Sequence, residues 1–488
     1  MGREKIRKLN DVHDIPTITK WSTRTKAIVG GSIATVVVAV SIVAVVPPVV
    51  LLSQKQGVAS TVTSTQASTV ISIYWCLDTL TSDSSNVYIG TLMNGATYFS
   101  TTSSQPFVAY GQGLSLTSSS SQYMTIATPF VDLTYKSFTI ETWIFSSAAY
   151  SGDSGIFGQC ECSSCSNQCL YLLVRGTSLY AGFTLNDISG SSTLAANLWY
   201  HVAFVYNYDT KQQILYLNGV QDAIKSSASP YQGVNGSINI GSTLVFTIRN
   251  YFNGYIDNVK LTTRAKTANE ILTAATLAGY YSFDSPSPYN DNGPNGANGT
   301  QNGAVIVSGY VNQAIRFTGS SSYFYAYGFF QVGYAVYASK PFSVALWINP
   351  ASMTSSTIVQ FSWSLTSSRC HNLMGLWSNT GINGQIVVQG WAWPIIIGPF
   401  ISTGTWTHVS VTYSFTNGLT LYVNGTLFGS TGSVAFSNSG YITYLQLGYM
   451  YSCTSNSITN NGYQGSVDEV YIYSREITQA EVSALASV

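Results

Sequence analysis

Two strings in this chain are written twice. Trp199-Tyr200-His201, followed by Leu215-Tyr216-Leu217-Asn218-Gly219, returns as Trp406-Thr407-His408, followed by Leu421-Tyr422-Val423-Asn424-Gly425. Downstream, Gly254-Tyr255-Ile256-Asp257 with Arg264 and Glu270 returns as Gly465-Ser466-Val467-Asp468 with Arg475 and Glu481, the Asp, Arg and Glu keeping one common offset. Upstream, the run from Phe138 to Ile144 (FTIETWI) matches the run from Phe342 to Ile348 (FSVALWI), and Trp75-Cys76-Leu77-Asp78 matches Tyr281-Ser282-Phe283-Asp284. Four blocks in the same order describe a duplicated domain, because solenoid repeats have periods of only about 20–50 residues. The chain of 488 residues holds two such copies and a leader.

The repeated unit is written in strands. Runs such as Phe138 to Ile144, His201 to Tyr206, Ile214 to Leu217 and Val409 to Tyr413 mix β-branched and aromatic residues, and an Asn-Gly turn follows Leu217 and Val423. Only 8% of residues are charged, which disfavours long surface helices. Two short stretches look helical, Ala268 to Thr276 and Gln479 to Ala486, each late in its copy, with Asn269 or Thr478 near the start. Each copy therefore reads as an antiparallel β-sandwich. The net charge of zero makes no electrostatic case for nucleic acid.

The leader carries a different signal. Residues 1–26 hold seven Lys and Arg, and Ala27 to Val46 then runs for 20 residues without a charge, roughly 30 Å as a helix and enough to span a bilayer core. Few basic residues follow, so the positive-inside rule predicts a single-pass type II protein of the cell membrane, with the C-terminal part outside. A cleaved signal peptide is the rival reading, with an apolar region of only about 7–15 residues. Pro47-Pro48 ends the helix, residues 27–52 form the expected signal-anchor, and the Ser/Thr-rich segment 53–69 reads as a stalk.

All seven cysteines follow that segment, as expected in an oxidising compartment. Aligning the copies sets Cys169 opposite Cys370 and leaves Cys160 without a counterpart. The pairing this suggests is Cys160 with Cys169 and Cys370 with Cys453, with Cys162–Cys165 as a further small loop and Cys76 left over. The alternative for Cys160, Cys162, Cys165 and Cys169 is a zinc site. Three sequons, at Asn235, Asn298 and Asn424, are candidate glycosylation acceptors.

Trp-x-His-Val, then Leu-Tyr-Val-Asn-Gly, then Gly-x-Val-Asp with Arg and Glu behind, resembles the laminin-G-like jelly-roll domain of the concanavalin A-like lectin and glucanase superfamily. The resemblance covers nearly all of residues 70–488, as a first domain over 70–277 and a second over 278–488. It implies an all-β chain of two tandem antiparallel jelly-roll sandwiches, preceded here by one transmembrane α-helix. It also implies binding of glycans or proteins and, in some members, calcium.

The candidate chemistry divides as follows. His201 and His408 recur without a Ser, Cys or carboxylate beside both, and are expected to be packed, hydrogen-bonded side chains. Asp257 and Asp468 are expected to shape a neighbouring loop. Glycosidases need a carboxylate pair, whereas Glu141 stands alone and is replaced by Ala345 in the second copy, so no catalytic residue is assigned. Asp78, Asp83 and Asn86, with Asp284, Asp291 and Asn295, could supply oxygens to calcium or simply form turns; no other cofactor is expected. Tyr323, Tyr325 and Tyr327 share one strand face and, with Trp391 and Trp393, could stack on a ligand. The resulting expectation is a non-enzymatic surface adhesion or recognition protein for extracellular glycans or proteins. The alternatives are a structural coat or matrix component and, behind it, a glycan-active hydrolase.

Overall fold

A computed structural model describes residues 69–99, 111–319, 322–333, 339–365, 370–379, 382–390, 395–436, 441–448, 453, 458 and 461–488. The central strand of the first copy, Phe138–Ser146, is buried along all nine residues. It pairs antiparallel with Trp199–Asn207 on one side and Gly254–Thr262 on the other. The sheet continues outward through Gln212–Leu217 to Val220–Lys225, and through Leu114–Leu116 to Thr97–Tyr98, with Ser72–Trp75 also on Gly254–Thr262. A second sheet runs Asn186–Ser189, Ser178–Phe183, Cys169–Arg175, Asp153–Cys160, Ile238–Ile240, Tyr123–Ile126 and Thr91–Met93. Phe138, Ile140 and Ile144 from the first sheet meet Phe157, Leu172 and Phe183 from the second, so period-two alternation puts one face of each sheet in a common core.

The second copy repeats this order. Phe342–Pro350 lies between Thr407–Ser414 and Gln464–Tyr473, and the facing sheet runs Gly299–Asn302, Tyr323–Phe329, Thr443–Leu447, Ser356–Ser362, Cys370–Asn379, Ile382–Gln389 and Ile395–Phe400. The architecture is all-β, of antiparallel sheets consistent with jelly-roll sandwiches.

The repeated Asn-Gly pairs have a specific task. Asn218 and Asn424 sit at φ 51° and 47°, and Gly219 and Gly425 at φ 83° and 75°, the two positive values that a tight hairpin turn requires. Each Asn accepts the backbone N–H of the repeated histidine on its Oδ1 and donates its own N–H back to that residue's carbonyl, His201 in one copy and His408 in the other. Each Gly packs against the closing helix, where a Cβ would approach Leu272 Cα at 2.9 Å or Ala486 Cβ at 3.1 Å.

Those helices, Ala268–Thr276 and Gln479–Leu485, are capped by Thr267 and Thr478 through reciprocal capping boxes with Glu270 and Glu481. The first cap is therefore Thr267, two residues before Asn269. Arg264 pairs with Glu270, and Arg475 Nη2 with Glu481 Oε1 at 2.5 Å. The first helix passes directly into Leu277–Tyr281, whose partner strand is Gln464–Tyr473 of the second copy. The copies are in contact: Trp143, Phe145, Trp199 and Phe99 form one buried cluster with Ala297 and Phe330, and Lys260 Nζ donates to Pro294 O at 2.7 Å.

One expectation changes. Among the described residues no helix is long and apolar enough to cross a membrane, so the single-pass type II placement at the cell membrane is not supported. Residues 27–52, from which that placement was read, and the basic tail 1–26 lie outside the described residues.

Cys160 is bonded to Cys169 across neighbouring strands, Cys162 to Cys165, and Cys370 to Cys453, while Cys76 is free and half-buried. The first pair closes a separation of 9 residues and the third one of 83. Chain-entropy bookkeeping then predicts that Cys160→Ser/Cys169→Ser costs about 2–3 kcal/mol and Cys370→Ser/Cys453→Ser about 4–5 kcal/mol. Chemical denaturation of the two double variants should reproduce that order.

Candidate functional site

The site is located by finding which faces remain uncovered. The outer face of the first sheet is covered in both copies: Ile271 of the closing helix packs on Ala203, Val205 and Tyr216, and Val482 of the other helix packs with Tyr422 and Ile477. Part of that face in the first copy is further covered by the second copy at Trp143 and Phe145. The outer face of the second sheet carries instead a groove of about 310 Å³ in the first copy. Its floor comes from adjacent strands, Thr125 beside Asn239 and Asn239 beside Gly158, which the register places directly opposite one another on one face.

One wall is a hairpin that stands outside the two main sheets, Ser242–Val245 paired with Ile248–Tyr251. It packs on the strand that carries the disulfide: Val245 and Leu244 join Cys169, Tyr171 and Leu173 in a small cluster. The hairpin approaches closely because Gly158 has no side chain; a Cβ there would lie 3.2 Å from Ser242 O. From this hairpin Arg249 reaches over Tyr123, its guanidinium carbon 5.6 Å from the ring centroid, while Nη1 donates to Ser242 Oγ at 3.3 Å. Tyr251 also meets that ring, with centroids 6.0 Å apart. The Thr243 hydroxyl, which lines the groove, is buried and has no partner among the described residues. Among the described residues no Asp or Glu lines the groove.

The same place in the second copy is closed. By register, Tyr325, Gln446 and Gln360 stand where the first copy has Thr125, Asn239 and Gly158. Gln360 Nε2 donates to Asn372 Oδ1 and to Cys453 Sγ, both at 2.8 Å, and Asn372 donates to Ile458 O at 3.4 Å. The Cys370–Cys453 bond thus holds Cys453 against this sheet. Beside this plug Tyr323, Tyr325 and Tyr327 share the outer face, with Phe324 buried in the core beneath them. Tyr327 is 39% exposed and lies 4.4 Å from Tyr444, which also meets Tyr325 at 6.0 Å. Trp391 and Trp393 lie outside the described residues.

The segments that differ are bounded by the same contacts. Gly241 N donates to Ile156 O and Gly448 N to Ile358 O; Phe252 N then returns to Gly241 O, and Tyr463 N to Gly448 O. Sequence reasoning passed over Arg249 and its hairpin, although residues 242–251 and 449–462 differ in length and content between otherwise matching copies.

The oxygens considered for calcium are spent on the backbone. Asp78 accepts Gln112 N at 2.8 Å and its counterpart Asp284 accepts Gln313 N at 2.9 Å, the same loop bond made twice. Asp83 accepts the N–H groups of Ser85, Val87 and Tyr88, with Asn86 at φ 56° in that turn. Asp291 accepts those of Tyr280, Gly293 and Ala297, and Asn295 donates to Leu277 O and Ala278 O. These residues act as turn formers, and among the described residues no group of three His, Cys, Asp or Glu could hold a metal ion. That includes Cys160, Cys162, Cys165 and Cys169, which are bonded in pairs and offer no thiolates to zinc.

His201 meets Trp143 edge-on at 5.4 Å and His408 meets Trp347 at 5.2 Å. Burial lowers both imidazoles to about 4, so both rings are neutral near pH 7. Asp468 accepts Tyr310 N, Val311 N and Glu469 N, tying the strand Gln464–Tyr473 to the loop before Gln313–Thr318; burial raises its carboxyl to about 7. Burial raises the Asp257 carboxyl as well. Glu141 is buried and paired with Lys266, opposite Lys260 in the register, and burial brings Lys260 down to about 8. In the second copy Ala345 and Tyr471 occupy the matching pair. Asn235, Asn298 and Asn424 are all exposed, and the Asn298 carboxamide also accepts Asp291 N at 2.9 Å.

A family profile described as the concanavalin A-like lectin/glucanases superfamily matches residues 118–272 and 324–483, more than half of the chain. Among solved structures, domain 4 of an extracellular arabinanase from Geobacillus stearothermophilus, in complex with arabinotriose, is 22% identical, with 43% of this chain and 98% of that one covered and a TM-score of 0.34. The binding domain of Paraclostridial Mosquitocidal Protein 1 is 17% identical over 44% of this chain and 52% of that one, with a TM-score of 0.31. The binding domain of Botulinum neurotoxin DC, in complex with rat synaptotagmin II, is 12% identical over 44% and 52%, with a TM-score of 0.32. The chain spans about half the length of these two toxin structures. A search of curated proteins returns no match.

Two outcomes follow from the buried charges. Glu141→Gln leaves Lys266 and Lys260 without their carboxylate in a dry environment and should destabilise the fold by about 3–5 kcal/mol in urea denaturation. The lowered histidines bind fewer protons folded than unfolded between about pH 4 and 6.5, so the stability they confer is complete above that window and is lost as pH falls through it. His408→Gln should therefore reduce the stability difference between pH 7 and pH 5 by on the order of 2 kcal/mol.

Proposed function

The chain belongs to the concanavalin A-like lectin/glucanases superfamily, and from that premise we propose that it is a non-enzymatic recognition protein whose first jelly roll binds a glycan in the outer-face groove. The observation that carries this reading is the groove itself. An aromatic ring, Tyr123, stands beside neutral hydrogen-bonding groups of Thr125, Ser237, Asn239 and Thr243, with Gly158 letting the hairpin wall approach the floor. Apolar ring faces cover the C–H faces of sugars, and carboxamides and hydroxyls match their hydroxyl groups. The volume falls at the low end of small-molecule sites, roughly 300–1,000 Å³, and suits the end of a saccharide chain.

The lining argues against hydrolysis. Cleavage of a glycosidic bond by the common routes uses two carboxyl groups about 5–10 Å apart, and the groove is lined by none. Glu141 belongs to the other sheet and is committed to Lys266. A second reading, recognition of a protein, is favoured by the tyrosine face of the second copy, where Tyr327 and Tyr444 are neighbours and Tyr441, 47% exposed, lies 4.6 Å from Trp363. Aromatic rings of this kind serve as anchors at protein interfaces.

A glycan array probed with the full-length chain tests the first reading. Saturable binding to defined sugars is expected, with Tyr123→Ala weakening it roughly fivefold to tenfold and Tyr327→Ala leaving it unchanged. Binding to no sugar, binding indifferent to Tyr123→Ala, or release of cleaved sugar would each exclude it. A passive coat or matrix component would show the first of these.

A further inference from the structure

We propose that the groove of the first jelly roll selects saccharides that carry a carboxylate, with Arg249 as the residue that reads it; the proposal rests on the glycan reading above. Arg249 lines the groove from the hairpin and is exposed. The other arginines named so far are paired: Arg264 with Glu270 and Arg475 with Glu481. Among the described residues no carboxylate pairs with Arg249, and its one hydrogen bond goes to a neutral hydroxyl, Ser242 Oγ. A guanidinium carries five N–H donors in a planar fork, so the rest of that fork is available to a ligand.

Its position is held from two sides. The strand Ile248–Tyr251 is fixed by pairing with Ser242–Val245, which packs on the disulfide-bearing strand at Cys169. The guanidinium also lies within cation–π range of Tyr123, so charge and ring are presented together. A sugar stacked on Tyr123 would bring a carboxylate on its ring within reach of the fork, and the two-pronged geometry favours a planar carboxylate. The groove has one cation among neutral groups, which suits a single anionic group. A densely sulfated chain calls for a basic patch, and the lining provides none. Among the described residues the matching face of the second copy, where Gln360 bonds to Asn372 and Cys453, offers no such pairing, so the preference belongs to the first copy.

The experiment uses the full-length chain and a panel of uronic- and sialic-acid-containing oligosaccharides, each beside its methyl-esterified form, with sulfated neutral oligosaccharides as a third arm. At least one carboxylated glycan is expected to bind, to weaken about tenfold on esterification, and to weaken further as salt is raised. Arg249→Gln should remove the preference for the acid over the ester while leaving the thermal midpoint unchanged, as expected at an exposed site. The proposal is overturned if acids and esters bind alike, if Arg249→Gln keeps the preference, or if only the sulfated arm binds. Equal binding of acids and esters that is still lost in Tyr123→Ala would reject the carboxylate and keep the glycan reading. Absence of binding in all three arms would reject both.

Discussion

The fold depends on one sheet in each copy whose central strand is covered on both faces. In an isolated sandwich the central strand shows one face to the core and the other to water, whereas Phe138–Ser146 is buried at every position. The outer face is covered by the closing helix, by the turn that brings Lys266 to Glu141, and by contact with the second copy through Trp143 and Phe145. Thr139 Oγ1 donates to Arg264 O and accepts Lys266 N, and Ser343 Oγ repeats both bonds with Arg475 and Ile477, so the same latch fastens the cover in each copy. With much of that face occupied, the groove beside Tyr123 and Arg249 lies on the outer face of the other sheet.

The two copies solve the burial problem with different chemistry. The first places a carboxylate, Glu141, opposite Lys260 and against Lys266, a polar arrangement whose desolvation cost is offset only while both charges are matched. The second uses Ala345, Ile477 and a pair of stacked tyrosines, Tyr280 and Tyr471, at 4.3 Å, whose hydroxyls both donate to Glu469. In the first copy the corresponding place holds Tyr74, donating to Asn258, with Lys260 over its ring. Position by position the scaffold is kept and the charge is redistributed. Glu141 belongs to this exchange, its carboxylate being paired with Lys266.

Divergence that bears on recognition is concentrated in one connection. Between Gly241 and Phe252 the first copy inserts a hairpin that stands up as a wall and presents Arg249. Between Gly448 and Tyr463 the second copy places Cys453 and Ile458 against Gln360 and Asn372 and shuts the face. One residue type decides the floor: Gly158 leaves room, whereas Gln360 fills it. The disulfides follow the same division, since Cys160–Cys169 joins the strands under the open groove and Cys370–Cys453 ties down the plug.

Duplication, strand content, the Asn-Gly hairpins, the helix positions and the cysteine pairs were legible in the linear chain, because each is a local or repeated pattern that survives without knowledge of contacts. Alternation likewise put Tyr323, Tyr325 and Tyr327 on one face and Phe324 on the other. It could not say which faces are covered, since covering is done by residues far away in the chain: Ile271 over Ala203, Phe330 against Trp143, Cys453 over Gln360. For the same reason the linear chain could not show that Asp78 and Asp284 accept the backbone N–H groups of Gln112 and Gln313. The order of residues settled what the module is and that it was copied. Only the packing of distant segments decided where one copy stays open and with what charge.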